Sequence, residues 1–120
     1  MKLRVIEGEF SVCQVREVDS SLLALPFCFV GKTDEELSLV CPTVDAPDDA
    51  LKRDDGWRML GVVGPMDFSL VGVLAGLSQK LADAGVPIFA VSTFDTDYLL
   101  VKSAQFKQAI TTLQQAGYEI

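Results

Sequence analysis

The sequence predicts an α+β chain of two related modules, and three observations carry that reading. Pro26–Val40 (PFCFVGKTDEELSLV) and Pro87–Val101 (PIFAVSTFDTDYLLV) share a proline, an apolar run, an acidic turn and a second apolar run. A constant shift of 61 residues lays Pro26 on Pro87, Val30 on Val91, Asp34 on Asp95, Glu36 on Asp97 and Val40 on Val101, and carries Gly56-Trp57 onto Gly117-Tyr118. Two copies are too few for a solenoid and fit a pseudo-symmetric pair that can build a shared site. Leu70, Leu74, Leu77 and Leu81 form one stripe at helical period, and Phe106, Ala109, Ile110 and Leu113 form another. Ile88–Val91 and Tyr98–Val101 are almost continuously apolar, the pattern of strands covered on both faces.

In chain order, Leu3–Ile6 and Phe10–Val15 flank Glu7-Gly8-Glu9 and predict a hairpin, with a helix from Phe10 as the alternative. Ser20–Leu25 predicts one helical turn, and Phe27–Gly31 and Leu37–Cys41 predict strands around a polar turn, with Pro42 ending the second. Residues Val44–Gly56 hold Pro47 and five aspartates, the best candidate for a boundary, with a short helix over Asp48–Arg53. The modules are therefore set at 1–57 and 58–120. The second predicts strand Arg58–Val63, helix Ser69–Ala84, strands Ile88–Ser92 and Tyr98–Lys102, helix Ala104–Ala116 and a short last strand, in the order βαββαβ. Ser69 and Ser103 stand at the expected N-caps, and Gly85 and Gly117 where a left-handed residue ends a helix.

The net charge of −7 argues against nucleic acid or an anionic membrane as partner, since both attract clustered Lys and Arg. No long apolar region follows Met1, and the stretch Met59–Leu77 is broken by Pro65 and Asp67, so a cytoplasmic protein is expected. Cys13, Cys28 and Cys41 are widely spaced and read as buried thiols rather than as zinc ligands. There is no histidine, which excludes hydrolysis by a Ser-His or Cys-His pair. Asp95-Thr96-Asp97 has the form of a metal-binding pair, but no phosphate-cradling glycine loop accompanies it. The expectation is a protein that is not an enzyme and needs no cofactor and no metal.

Two features remain as candidate chemistry. The turn Gly64–Phe68 leads into the N-terminus of the helix from Ser69, where free amides and the helix dipole favour a carboxylate. The turn Ser92–Asp97 sets hydrogen-bonding groups and one phenyl ring between two apolar strands; Asp97 suits an ammonium or guanidinium, and Phe94 limits pocket shape. Its plain alternative is a hairpin turn whose Asp and Thr bond their own backbone.

Thr33–Val40, Gly64–Gly72 and Val91–Val101 together resemble the ACT domains, and more closely the tandem ACT-like proteins that include the cytosolic arginine sensors of the CASTOR family. The resemblance implies a ferredoxin-like ACT fold in two modules, the first degenerate because it lacks a long first helix. It also implies an amino acid held between modules, against the first helix N-terminus of one and a hairpin turn of another. Asp67, Ser69, Leu70 and Val71 then lie on the helix side, and Thr93, Phe94 and Asp97 on the turn side. The expected function is regulation by a small-molecule ligand in a homodimer. The competing expectation is a ligand-free interaction or dimerisation module.

Overall fold

The computed structural model describes residues 1–64 and 72–120. Among them lie β1 (Leu3–Gln14), a 3-10 turn (Ser20–Ala24), β2 (Phe29–Lys32), β3 (Leu37–Pro42), a second 3-10 turn (Thr43–Asp45), β4 (Lys52–Val62), α1 (Val73–Asp83), β5 (Phe89–Ser92), β6 (Asp97–Lys102) and α2 (Ser103–Gln115). The chain divides into two compact units: Gly8–Trp57, and Met1–Glu7 with Arg58–Ile120. Strands β1 and β4 run through both, and each carries a left-handed glycine beside the crossing, Gly8 at φ 95° and Gly56 at φ 82°.

In the unit Gly8–Trp57, β3 pairs antiparallel with β2 (Phe29 opposite Val40, Lys32 opposite Leu37) and with β1 (Phe10 opposite Pro42, Gln14 opposite Ser38). Its core is small: Cys13, Val15, Leu22, Leu39 and Cys41, with Val18, Leu25, Ala46 and Ala50 packed around them. Asp19 caps the first 3-10 turn by accepting the Ser21 N–H at 2.9 Å. That bond holds the Asp19 carboxyl below its usual pKa, because it favours the ionised form.

In the other unit, β6 pairs antiparallel with β5, and the strand order runs β1-β4-β6-β5. Helices α1 and α2 supply the stripes read in the sequence: Leu77, Leu81, Ala109 and Leu113 are fully buried, and Phe106 nearly so, against Leu3, Leu60, Val62, Leu99 and Val101. Both helices end as expected, with Gly85 at φ 74° and Gly117 at φ 99°. The last strand reduces to one parallel bridge between Lys2 and Glu119.

Several expectations change. The hairpin around Gly8 is instead one continuous strand, because a glycine at positive φ serves a kink inside a strand as well as a turn between two. The helix over Asp48–Arg53 is absent; a turn stands there and β4 begins at Lys52, six residues earlier than read. Ser103 is the first helical residue of α2, and Lys102 occupies the N-cap position without a side-chain capping bond. The expected cap Ser69 lies outside the described residues, but α1 begins at Val73 behind a left-handed Gly72 at φ 80°, four residues later than the helix start read at Ser69.

The internal repeat also shifts. Lys32 faces Leu37 across one four-residue turn and Ser92 faces Asp97 across the other, so the hairpins correspond at 60 residues, not 61. The prolines match at 61 because the first copy carries one more residue between proline and strand. Asp97 therefore corresponds to Leu37 rather than to Glu36.

The middle residues of β3 and β6 are buried on both faces, whereas their partners β2 and β5 are half-buried to exposed. Leu99, Leu100 and Val101 are each at most 1% exposed, and Leu39, Val40 and Cys41 at most 4%. Consecutive strand residues point to opposite faces, so both faces are covered within a single chain. The middles of β3 and β6 consequently give no argument for a second subunit.

Candidate functional site

The mouth of the β5–β6 hairpin collects Ser92, Thr93, Phe94, Thr96 and Asp97. The loop closes on its own groups: the Thr93 N–H donates to the Thr96 carbonyl at 2.8 Å, and the Thr96 N–H donates back to Thr93 Oγ1 at 3.3 Å. Thr96 is buried, and its Oγ1 donates to the Val62 carbonyl at 2.9 Å, which ties the hairpin to the end of β4. The plain reading of this turn, Thr bonding its own backbone, is thus present in the structure for Thr93.

Asp97 does something else. It opens β6, is 8% exposed, and accepts the Ser92 hydroxyl at 2.5 Å from directly across the strand pair. A buried carboxylate at a hairpin mouth needs partners, since burying an unpaired charge is costly. A single hydroxyl satisfies one of its roughly four lone-pair positions. Beside it, Phe94 is 81% exposed at the tip of the turn.

The structure therefore brings Asp97 and Thr93 to one mouth and leaves Phe94 at its rim. Asp67, Ser69, Leu70 and Val71 lie outside the described residues. Sequence reading passed over Ser92 and Thr96 as partners. A hydroxyl and a carboxylate bounding a four-residue turn are cross-strand neighbours, and that spacing was the available signal.

The β2–β3 hairpin repeats the turn but not the carboxylate. The Thr33 N–H donates to the Glu36 carbonyl at 2.9 Å and the Glu36 N–H donates to Thr33 Oγ1 at 3.1 Å, matching Thr93 and Thr96 bond for bond. Glu36 is exposed and accepts the Ser38 hydroxyl at 2.6 Å. Two hollows mark this unit. One of about 330 Å³ is lined by Val12, Gln14, Glu36, Ser38, Lys52 and Arg53, with Cys13 and Asp54. One of about 720 Å³ is rimmed by Glu17, Asp19, Asp45, Asp49 and Arg16.

In the same unit, the fully buried Ser11 donates to Asp55 at 2.5 Å and shares a 2.9 Å bond with Thr43, while Arg53 Nε donates to the same Asp55 oxygen at 2.7 Å. In the other unit the Arg58 guanidinium stacks 4.4 Å above the Phe106 ring. Among the described residues no group of three His, Cys, Asp or Glu is placed to hold a metal, and no helix is long and apolar enough to cross a membrane.

The ACT domain family model matches residues 52–115, from the start of β4 to the end of α2. The chain belongs to the ACT domain family. Its α+β architecture, with α1 and α2 on a sheet, is the ferredoxin-like ACT fold expected from the sequence. A solved protein of Agrobacterium tumefaciens is 30% identical, with 98% of this ACT chain and 90% of that one covered at a TM-score of 0.89. A protein of unknown function from Vibrio cholerae, described as a possible transport protein, is 21% identical over 92% of this chain and 85% of its own, at a TM-score of 0.76. The ligand-free regulatory subunit of aspartate kinase from Thermus thermophilus shares the fold at 12% identity, with 96% of each chain covered and a TM-score of 0.66.

Proposed function

We propose that this ACT chain is a non-catalytic regulatory protein that binds an amino acid or similar small zwitterion at a module or subunit interface, as a cytoplasmic homodimer. The observation that carries the reading is Asp97: a buried carboxylate at a hairpin mouth, bonded to Ser92 and set beside an exposed phenyl ring. An ammonium or guanidinium placed there completes the carboxylate, and Phe94 is the ring that closes over the ligand body. Thr93 supplies the polar edge. Asp67, Ser69, Leu70 and Val71 form the helix side of the same site, where backbone amides receive the ligand carboxylate.

In this reading the chain is a tandem of two ACT-like modules, 1–57 and 58–120, the first degenerate, related to the CASTOR arginine sensors. Its fold is shared with an aspartate kinase regulatory subunit, which fits a role in control rather than in catalysis. Binding regulates only if the ligand has different affinity for two association states.

The experiment is a thermal-shift series over the twenty amino acids and a few nucleotides, on the wild type, Asp97→Ala and Asp97→Asn. Ligand at a hundredfold its Kd stabilises by about 2.7 kcal/mol, a melting rise of several degrees. The expected result is a selective rise for one ligand that both variants abolish. Absence of any rise overturns the sensor reading in favour of a ligand-free interaction module, which Phe94, 81% exposed at a hairpin tip, specifically favours.

A further inference from the structure

We propose that Cys28 and Cys41 form a thiol-exchange site: Cys28 is the entry thiol for a low-molecular-weight disulfide, and Cys41, its neighbour across the strand pair, resolves the adduct into an internal disulfide. Cys13, Cys28 and Cys41 are free thiols of one unit, and half-buried Cys28 packs against a core that contains the other two. The strand register places them. Val30 faces Leu39 and Phe29 faces Val40, so the next step sets Cys28 opposite Cys41. The ladder stops at Phe29 because Pro42, which would bond Phe27 in turn, has no N–H to donate. The chain still keeps beside the sheet: Phe27 meets the ring of Phe10, the β1 partner of Pro42, edge to face at 6.2 Å between centroids.

Of the three possible pairs, this one fits a disulfide. The Thr33 N–H donates to the Glu36 carbonyl, which makes those two a hydrogen-bonded pair, and bonded and non-bonded pairs alternate along an antiparallel ladder. By that alternation Gly31 with Ser38 and Phe29 with Val40 are bonded pairs, and Cys28 with Cys41 falls on a non-bonded one, where side chains approach most closely. Cα atoms there stand about 4.5 Å apart, within the roughly 4.4–6.8 Å that a disulfide spans. Cys13 is placed differently. Its partner on β3 is Leu39, so it meets Cys41 only on the diagonal, at about 7–8 Å, and it lies two strands from Cys28.

Cys41 is fully buried and Cys28 half-buried, so a reagent from solvent meets Cys28 first. The Cys28 thiolate attacks one sulfur of the small disulfide and expels the other half as a thiolate. The Cys41 thiolate then attacks Cys28 Sγ and expels the second half, so the electron pair given up by the cysteines reduces the reagent to two thiols. Each cysteine proton passes through solvent to a departing thiolate. Burial raises both thiols, which slows both attacks at neutral pH without changing the pairing. Excess small thiol reverses the steps, and while the bond lasts it fastens β2, the outer strand, to β3.

The test is incubation of the folded full chain with oxidised glutathione at about pH 8.5, the pKa of a free thiol. Remaining thiols are then alkylated and peptides mapped by mass, for the wild type, Cys13→Ser, Cys28→Ser, Cys41→Ser and Cys41→Ala. Tryptic cleavage after Arg16, Lys32 and Lys52 leaves each cysteine on its own peptide, so the linked pair is read directly. The expected result is a Cys28–Cys41 link in the wild type and in Cys13→Ser, glutathione held on Cys28 in both Cys41 variants, and neither product in Cys28→Ser. The wild-type map decides the pairing even where a Cys41 variant does not fold, which circular dichroism reports. A wild type that stops at the glutathione adduct overturns the proposal, as does a link through Cys13 or between two chains. Absence of any reaction, or a Cys28–Cys41 link that forms only in denaturant, overturns it as well.

Discussion

The two hairpins share one turn and differ in what they do with it. Thr33 and Thr93 close their loops with the same pair of bonds, and both strand pairs hold the same register. At the first residue of the returning strand, however, one hairpin places Leu37 and the other Asp97, and only the second then buries a carboxylate. Turn geometry is thus carried by the threonine and its partner three residues on, while the chemistry of the mouth is carried by one independent position. The surrounding units differ in the same way: one side of the repeat is backed by α1 and α2, the other by 3-10 turns at Ser20–Ala24 and Thr43–Asp45.

The largest effect tests that difference in backing. Leu81→Ala removes a side chain fully buried between helix and sheet and should cost about 2–5 kcal/mol in chemical denaturation. Leu22→Ala, from a 3-10 turn and 8% exposed, should fall at or below the bottom of that range. Equal losses would show that the short turns back their strands as firmly as the helices do. Next comes the hairpin itself. Thr96→Val removes the donor to the Val62 carbonyl and should cost about 1–3 kcal/mol, whereas its counterpart Glu36→Val, exposed, should stay within about 0.5 kcal/mol.

The comparison becomes sharper with Asp97→Leu. Leu37 shows that this turn tolerates leucine at the corresponding place, so the variant should fold with a native circular dichroism spectrum and lose any amino-acid-induced melting shift. A variant that fails to fold would mean that the buried carboxylate is structural, bonding Ser92 to hold the strand pair rather than waiting for a ligand. Smaller still is Gly117→Ala, which forces a side chain to φ 99° without meeting any neighbour and should cost about 1–2 kcal/mol from backbone conformation alone.

How much of this was legible follows from which signals are local. Both helices, their glycine ends and both strand pairs could be read, because period and punctuation act over a few residues: the Leu77 and Leu81 stripe and Gly85 are examples. Strand β1 was misread at Gly8, because positive φ there serves a kink and a turn equally, and only pairing with strands distant in sequence decides. The stretch before β4 was misread as a helix, since its backbone is claimed by tertiary pairing: the Leu51 N–H donates to the Gln14 carbonyl at 2.8 Å. At the site, Asp97 and Thr93 could be named from their residue types. The role of Thr96 was not visible, because its partner Val62 is 34 residues away.

The thiols give the last contrast, since Cys13, Cys28 and Cys41 all lie in the unit of short turns and none in the helical one. Burial pushes the Cys41 thiol up to about 11, and Cys13 and Cys28 are raised for the same reason, because thiolate is disfavoured away from water. A pKa raised on folding means that the folded state holds its proton more tightly than the unfolded chain. The stabilisation is therefore fully present below the unfolded value near 9 and lost as pH rises through about 11. At neutral pH, Cys41→Ser changes nothing through this linkage; between pH 9 and 11 it should flatten the fall in stability measured by denaturation. Labelling by a thiol reagent at neutral pH reports the same burial, with half-buried Cys28 reacting first and Cys41 only when its unit opens. If Cys41 labels much faster than global unfolding allows, the unit of short turns opens independently of α1 and α2, and the difference between the halves is one of stability as well as of shape.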